Sequence, residues 1–435
     1  MHFGWSSPSI PLLTNGSYKI HIDGDEASWL AVTLLPGTIV GAIIAGKCAG
    51  LFGRKKVILM TSLPLLLGWI LIAVANEVAV LHVARFIAGI SIGLSFTVIP
   101  MYLGEIAEPQ IRGVLSSFCP LCIVFGILLI NVLGNYLPIN ITAMISCIFP
   151  VILFVTFVGM PESPYFLFEN GRFEEAKETL RILRGEDEAD KELEKIRQNV
   201  FEESENMSIF KYFFLDKVNR KAALVAYGLR TIQQFCGTTA ITFYCKTIFE
   251  EEQPILSASL STNLYFFIQL CVAFFTIFVV DISGRKPLLL ISLVGCSVTL
   301  LMMGAYLFVK NKLDIDWNFA SFVPLVVLYL NVVFLGIGVR NIPILMMGEL
   351  FSPRVKPFAS CIGTIYFSLL SMVSAKMFYI INIKFGMYMS FWIYGFLSLI
   401  SIVFVIFVVP ETKGLRLEDI QLRLGKRCRT EDIIL

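Results

Sequence analysis

Between residues 233 and 244 the chain reads Gln233-Gln-Phe-Cys-Gly-Thr-Thr-Ala240 and then, three residues on, Phe243-Tyr244. A carboxamide offers two donors and an acceptor. Adjacent carboxamides beside hydroxyl side chains suit a ligand with neighbouring hydroxyl groups, as a sugar has. Gly237 lets a backbone approach closely or a helix break. The surrounding stretch, 222–249, is apolar enough to lie in lipid, where amides are costly unless they find partners. Hydrogen bonding between helices would use the same residues, and that reading stays open beside ligand binding. Gln269, in the next apolar stretch, is placed to converge on the same cavity.

A second set of residues carries charge at the ends of apolar stretches. Asp281, Arg285 and Glu349 form one group, and Arg54, Glu105, Arg112 and Lys356 extend it. Acids accompany the bases, so pairs that latch the molecule and break during a conformational change are expected here. Ordinary positive-inside charge with snorkelling stems is the alternative. Arg340 is isolated inside a stretch and should face water, a ligand or an acid. Metal chemistry has no support, because His2, His21 and His82 are the chain's three histidines and no Cys/His spacing suits zinc. Cys119-Pro-Leu-Cys122 has redox spacing but sits in an apolar run without a βαβ context. No nucleophile–base set or phosphate loop points to an enzyme. No cofactor is implied.

The elements that must hold these residues are membrane helices. Of 435 residues, 56% are hydrophobic and 16% charged, against ~25% charged in soluble domains. Mean hydropathy is +0.77. Runs of about 20 apolar residues fall at 28–50, 57–75, 79–103, 114–136 and 142–160, then at 222–249, 260–280, 287–309, 322–348, 357–383 and 386–409. That predicts eleven spans. Pro161–Lys221 holds 11 Lys/Arg and 15 Asp/Glu, 26 of the chain's 68 charges, and reads as a small cytoplasmic helical domain. Phe173, Ala176, Leu180 and Leu183 make one stripe, Leu193, Ile196 and Val200 another, and Glu174 can pair with Lys177. Net charge of +2 without a basic face argues against nucleic acid.

Placing Arg54-Lys55-Lys56 in the cytoplasm puts 26 of the 35 Lys/Arg on that side. The C-terminus is then cytoplasmic and residues 1–27 exterior. Asn15 and Asn140 become exterior glycosylation acceptors. The expected organisation is an exterior segment 1–27, a bundle 28–160, the linker domain 161–221, a second bundle 222–409 and a tail 410–435.

Long-range self-similarity divides the chain in two. Gly53-Arg-Lys55 returns as Gly284-Arg-Lys286, Glu105 as Glu349, and Pro161-Glu-Ser163 as Pro410-Glu-Thr412, in the same order. Two spans precede the loop in the second half and one in the first. The repeat therefore expects another helix before residue 28, with Phe3-Gly-Trp-Ser-Ser-Pro8 as its tail end and the chain starting at an internal methionine. Two facing six-helix bundles rocking about a midplane site are a known solution to transport.

Taken together, Gly53-Arg54-Lys55, Arg85-Phe86 with Gly89, Glu105 to Arg112-Gly113, Pro161-Glu-Ser-Pro164, Gln233-Gln234 through Tyr244, Asp281 to Gly284-Arg-Lys286, Met347-Gly-Glu349 and Pro410-Glu-Thr-Lys-Gly414 resemble the sugar porter family of the major facilitator superfamily. The likeness runs from about Gly4 to Ile420 and is strongest to the insect trehalose and the glucose transporter branches. It implies two pseudo-symmetric six-helix bundles, here with the first helix largely missing, in the cell membrane. It implies a monomer that moves sugar by facilitated diffusion. It implies that Gln233 and Gln234 hold sugar hydroxyls, with Thr239 and Gln269 standing where asparagines are usual, and that Phe243 and Tyr244 close an exterior gate.

The sequence also departs from that family. Gly50 replaces an acid, Tyr165 an arginine and Pro120 a glutamine. The pattern Gly-Pro-x-Pro-Trp reads Arg340-Asn341-Ile342-Pro343-Ile344, and Phe367-Ser368 replaces Asn-Trp. Another polyol is therefore an alternative substrate. A non-transporting sugar sensor or an inactive short isoform is the alternative from another class. The absence of an intramembrane acid in the cavity-facing runs leans towards uniport.

Overall fold

The structure is a computed structural model that describes residues 1–108, 112–186, 209–252, 255–312, 322–351 and 355–413, with 189–190, 193–194, 197 and 420. All regular structure among them is helical. Ten segments are long and apolar enough to cross a membrane: Gly24–Leu51, Arg54–Val74, Val78–Ile106, Phe118–Tyr136, Ile139–Val158, Ala258–Val280, Arg285–Asn311, Val323–Leu350, Lys356–Phe385 and Met387–Phe407. The eleventh expected span, 222–249, is helical but comes in two pieces, Lys217–Phe235 and Thr238–Glu252. Gly237 separates them at φ +82°, which interrupts the i→i−4 ladder. Polar and charged residues in both pieces lower their hydropathy below that of the other spans.

The surface is inverted relative to a water-soluble protein. Leu63, Leu67, Ile70 and Val74 are exposed along one face, and Phe267, Phe274, Phe275 and Phe278 along another. Ser91, Thr97, Asn131, Gln269, Asn331 and Ser371 are buried instead. Lipid satisfies the first set, and helix-to-helix contact the second.

In the first half, the helices Leu34–Leu51 and Val78–Ile106 pack most intimately. Side chains added at Gly37 and Gly41 would meet the carbonyls of Phe86 and Ile90 at 2.1 and 2.0 Å. At Gly89 and Gly93 they would meet those of Leu34 and Thr38, both at 2.1 Å. Only small residues allow backbones this close. In the second half, Arg285–Lys312 packs between Met387–Phe407 and Val323–Ile337.

Contacts between the halves obey the repeat. Leu34–Leu51 packs on Lys356–Phe385, and Arg112–Tyr136 packs on Ala258–Ser283. These contacts are equivalent, because the repeat pairs the first helix with the fourth and the second with the third. Ser6–Thr14 meets Thr238–Glu252.

Residues 2–14, where the repeat expects the remnant of a helix, hold two short helices. His2–Gly4 and Ser6–Thr14 are helical, and Trp5, Ser6, Ser7, Ile10 and Leu13 are buried. Arg85 draws them in. It donates to the His2 carbonyl, to Ser6 Oγ at 2.9 Å and to the Ala31 carbonyl at 3.3 Å, and it lies over the Trp5 ring.

The charged island begins with Pro164–Glu169 and Phe173–Arg184. Ala176 and Leu180 are buried, whereas Phe173 is half exposed and stacks edge-on against Phe168. Lys177 pairs with Asp190 at 2.6 Å rather than with Glu174. Asp190 comes within reach because the chain turns back after Gly185, at φ +86°. Leu193 packs on this cluster, while Ile196 and Val200 lie outside the described residues.

Candidate functional site

The break at Gly237 puts the end of one helix and the start of the next inside the second half. Gln233 and Gln234 close the first piece, and Thr238 and Thr239 open the second. All four are buried. Thr239 Oγ1 donates to Gln234 Oε1 at 2.6 Å, and Ser374 Oγ donates to the Gln234 carbonyl at 3.0 Å. Tyr394 donates to the Ser374 carbonyl at 2.7 Å, which anchors that helix. One side of the Gln234 amide is thereby fixed. Its Nε2 is buried and has no acceptor among the described residues.

Gln233 is held at both ends. It accepts from Arg230 Nη1 at 3.0 Å and donates to the Arg340 carbonyl at 2.6 Å. That carbonyl is free because the span Val323–Leu350 is also broken, between Ile337 and Ile342. Gly338 and Pro343 make the break. Ser292 Oγ supports it, donating to the Phe334 carbonyl at 2.6 Å and accepting from the Val339 N–H at 3.1 Å.

Gln269 is fully buried, and both its amide atoms lack partners. Tyr265, one turn earlier on the same face, has an unpartnered hydroxyl. Asn331 Oδ1, Asn341 Oδ1, and Nε and Nη2 of Arg340 share that condition among the described residues. A buried polar group left unpaired costs about 1–3 kcal/mol, and such groups are few in most proteins. Several of them lie on the helices that carry the two breaks or pack beside them.

Phe243 and Tyr244 lie two turns further along and are buried. Tyr244 stacks on Phe378 with centroids 5.6 Å apart. Phe243 meets Phe3 of the other half at 5.0 Å. Gln233, Gln234 and Thr239 thus cluster about the break at Gly237, with the aromatic pair further along the second piece and Gln269 on the neighbouring helix Ala258–Ser283.

The charged residues occupy the end of the bundle that carries Arg54-Lys55-Lys56 and Arg285-Lys286. Arg54 meets Glu105 at 3.0 Å, and Arg285 meets Glu349 at 3.0 Å. Ser163 donates to Glu105, and Thr412 to Glu349 at 2.6 Å. Each of these two pairs lies within one half. The turns at Gly53 and Gly284 set each arginine at the start of a helix, beside the end of an antiparallel neighbour in its own bundle. The side chains of Arg112 and Asp281 lie outside the described residues. The Lys356 ammonium lies beside Gly348, next to Glu349.

Sequence reading assigned no role to Glu162 and Glu411, whose Pro-Glu-Ser and Pro-Glu-Thr setting was the available signal. Glu162 accepts the Lys55 N–H at 2.9 Å. Glu411 accepts those of Arg285 and Lys286 at 3.0 and 2.9 Å. Each carboxylate therefore caps a helix in trans. Burial favours the neutral form of Glu411, but four backbone N–H groups outweigh it and hold the carboxyl below its usual range. The glycine pairs Gly37/Gly41 and Gly89/Gly93 were missed too, although their four-residue spacing was legible. Asn15 is exposed beyond the first helix, and Asn140 is half-buried.

Residues 13–424 match the profile of a family described as "Sugar (and other) transporter". The facilitated trehalose transporter Tret1 of Apis mellifera ligustica is 30% identical over 436 residues, covering 99% of this chain and 86% of that protein. Tret1 of Polypedilum vanderplanki is 32% identical over 428 residues, covering 98% and 85%. Among solved structures, the proton:xylose symporter XylE bound to 6-bromo-6-deoxy-D-glucose superposes with a TM-score of 0.80 at 22% identity, covering 97% of this chain and 96% of that one.

Proposed function

The chain belongs to the Sugar (and other) transporter family, a sugar porter group of the major facilitator superfamily, and from that premise we propose that it carries its substrate by facilitated diffusion through alternating access. It is a multi-pass membrane transporter and not an enzyme. The substrate class is a small hydroxylated solute: trehalose, which names the relatives' activity, or a hexose such as glucose. Gln233, Gln234, Thr239 and Gln269 hold its hydroxyls, and Phe243 and Tyr244 cover it from one end.

One observation carries this reading. Gln234 and Gln269 are wholly buried yet keep amide atoms unpaired, beside the breaks at Gly237 and 338–341. Broken helices at membrane depth are tolerated where they line a polar cavity. The basic end faces the cytoplasm in this scheme, and Asn15 and Asn140 face outward as glycosylation acceptors. The two Arg–Glu–Ser/Thr clusters hold each half rigid at that end, so the halves move as bodies. The protein acts as a monomer in the cell membrane, and no coupled ion is required.

The test is uptake of radiolabelled trehalose and glucose in oocytes, with surface protein quantified. Gln234→Ala should reduce uptake at least tenfold at unchanged surface level. Unchanged uptake would remove the proposed site.

A further inference from the structure

Two arginines flank the paired amides, and neither meets an acid among the described residues. Arg230 gives one N–H to Gln233 and lies over the Phe367 ring, and Gln233 passes its own N–H to the Arg340 backbone carbonyl. Nε of Arg230, and Nε and Nη2 of Arg340, are buried without an acceptor. The other interior arginine, Arg85, has three oxygen acceptors, although its Nε too is buried without one, and Arg54 and Arg285 each have a carboxylate. No Asp or Glu occurs in 258–280, 288–311, 323–348 or 356–409. The spans of the second half therefore hold two half-buried cations and, among the described residues, offer them no counter-charge. Guanidinium stays protonated in proteins, and burying it unpaired is expensive. Its planar fork matches a carboxylate or phosphate in two parallel hydrogen bonds.

The neutral groups nearby define the rest of the ligand. Tyr265 lies within electrostatic reach of Arg340. Gln269 follows it by one turn on the same face, and both keep free hydrogen-bonding atoms, as does Gln234 Nε2. Hydroxyl groups suit all three.

We propose that the preferred substrate is a hydroxylated organic anion of monosaccharide size, its anionic group seated on Arg340 and its hydroxyls on Gln234, Gln269 and Tyr265. This rests on the reading of the amide cluster as a transport site. It departs from the expectation of a neutral sugar.

The test compares oocyte uptake of radiolabelled gluconate, glucose 6-phosphate, glucose and trehalose by the full chain, with surface protein quantified. Gluconate or glucose 6-phosphate should enter at least tenfold faster than glucose, and whichever does so identifies the anionic group. Arg340→Gln should remove that preference, and Arg340→Lys should keep part of it. Purified in detergent, the wild-type protein should melt at a higher temperature with the preferred anion present, and Arg340→Gln should show no such shift. Uptake of neutral sugar without uptake of either anion overturns the anionic substrate and leaves the transport site standing. Equal anion preference in wild type and Arg340→Gln also overturns it. Surface-expressed wild type that carries none of the four overturns both.

Discussion

Gln234 and Gln269 are equally buried but differently engaged. Gln234 is tied down by Thr239 and keeps both amide donors free, whereas Gln269 makes no bond at all among the described residues. A buried amide that only stabilises the fold would be paired. Replacing an unpaired amide with an apolar group of similar size is neutral or stabilising. Gln269→Leu is therefore expected to leave the melting temperature in detergent unchanged or higher while lowering uptake at least tenfold. A large drop in melting temperature with full uptake would assign Gln269 to the fold instead. Glu411 makes the opposite case, because its carboxylate accepts four backbone N–H groups. Its carboxyl lies below the ordinary value of about 4.3, so the stability it confers is complete above that pH and is lost as pH falls through the depressed value. Glu411→Gln should melt several degrees lower at pH 7, and the difference from wild type should shrink on acidification below about pH 4. A constant difference across that range would show that the charge is not what caps the helix.

At the scale of elements, glycines decide both the break and the closest packing. Gly237 sits at φ +82°, and a side chain there would also press on Ile241 at 3.1 Å. Gly237→Ala should cost roughly 1–2 kcal/mol and reduce uptake, because the amides just before it and the threonines just after it would move. Gly41→Leu would drive a side chain into the Ile90 carbonyl, whereas Gly50 on the same helix has nothing within 4 Å. Surface expression should fall sharply for Gly41→Leu and remain normal for Gly50→Leu. Equal expression of the two would contradict the packing described. The spans themselves were legible because lipid demands about 20 apolar residues whatever their packing. The split of 222–249 was foreshadowed by Gly237, but its outcome depended on Tyr394 and Ser374, more than 130 residues away. The interruptions after Val32 and Ser146 had a signal as well, since Pro36 and Pro150 lack the N–H that would bond those carbonyls.

At the scale of the molecule, the repeated motifs revealed two halves, and the contacts between the halves follow the same symmetry. Which charges pair across the chain was not legible, because motif order gives position along a helix end but not the neighbour it faces. Among the described residues Arg54 pairs with Glu105 and Glu169, and Arg285 with Glu349. The proposed movement would act on the contact between the halves at Leu34–Leu51 against Lys356–Phe385. There Cys361 Sγ approaches the Ala42 carbonyl at 3.2 Å. A side chain at Gly46 would place its Cβ 3.9 Å from that of Cys361, within the ~3.5–4.5 Å range of disulfides. The most direct measurement is therefore uptake by Gly46→Cys, cross-linked to the native Cys361 by an oxidant and then reduced, with Gly46→Cys/Cys361→Ser as control. If the halves must separate at this end for the buried amides to open, cross-linking will arrest uptake, reductant will restore it, and the control will not respond. Full uptake through the cross-linked protein would contradict the movement on which the account depends.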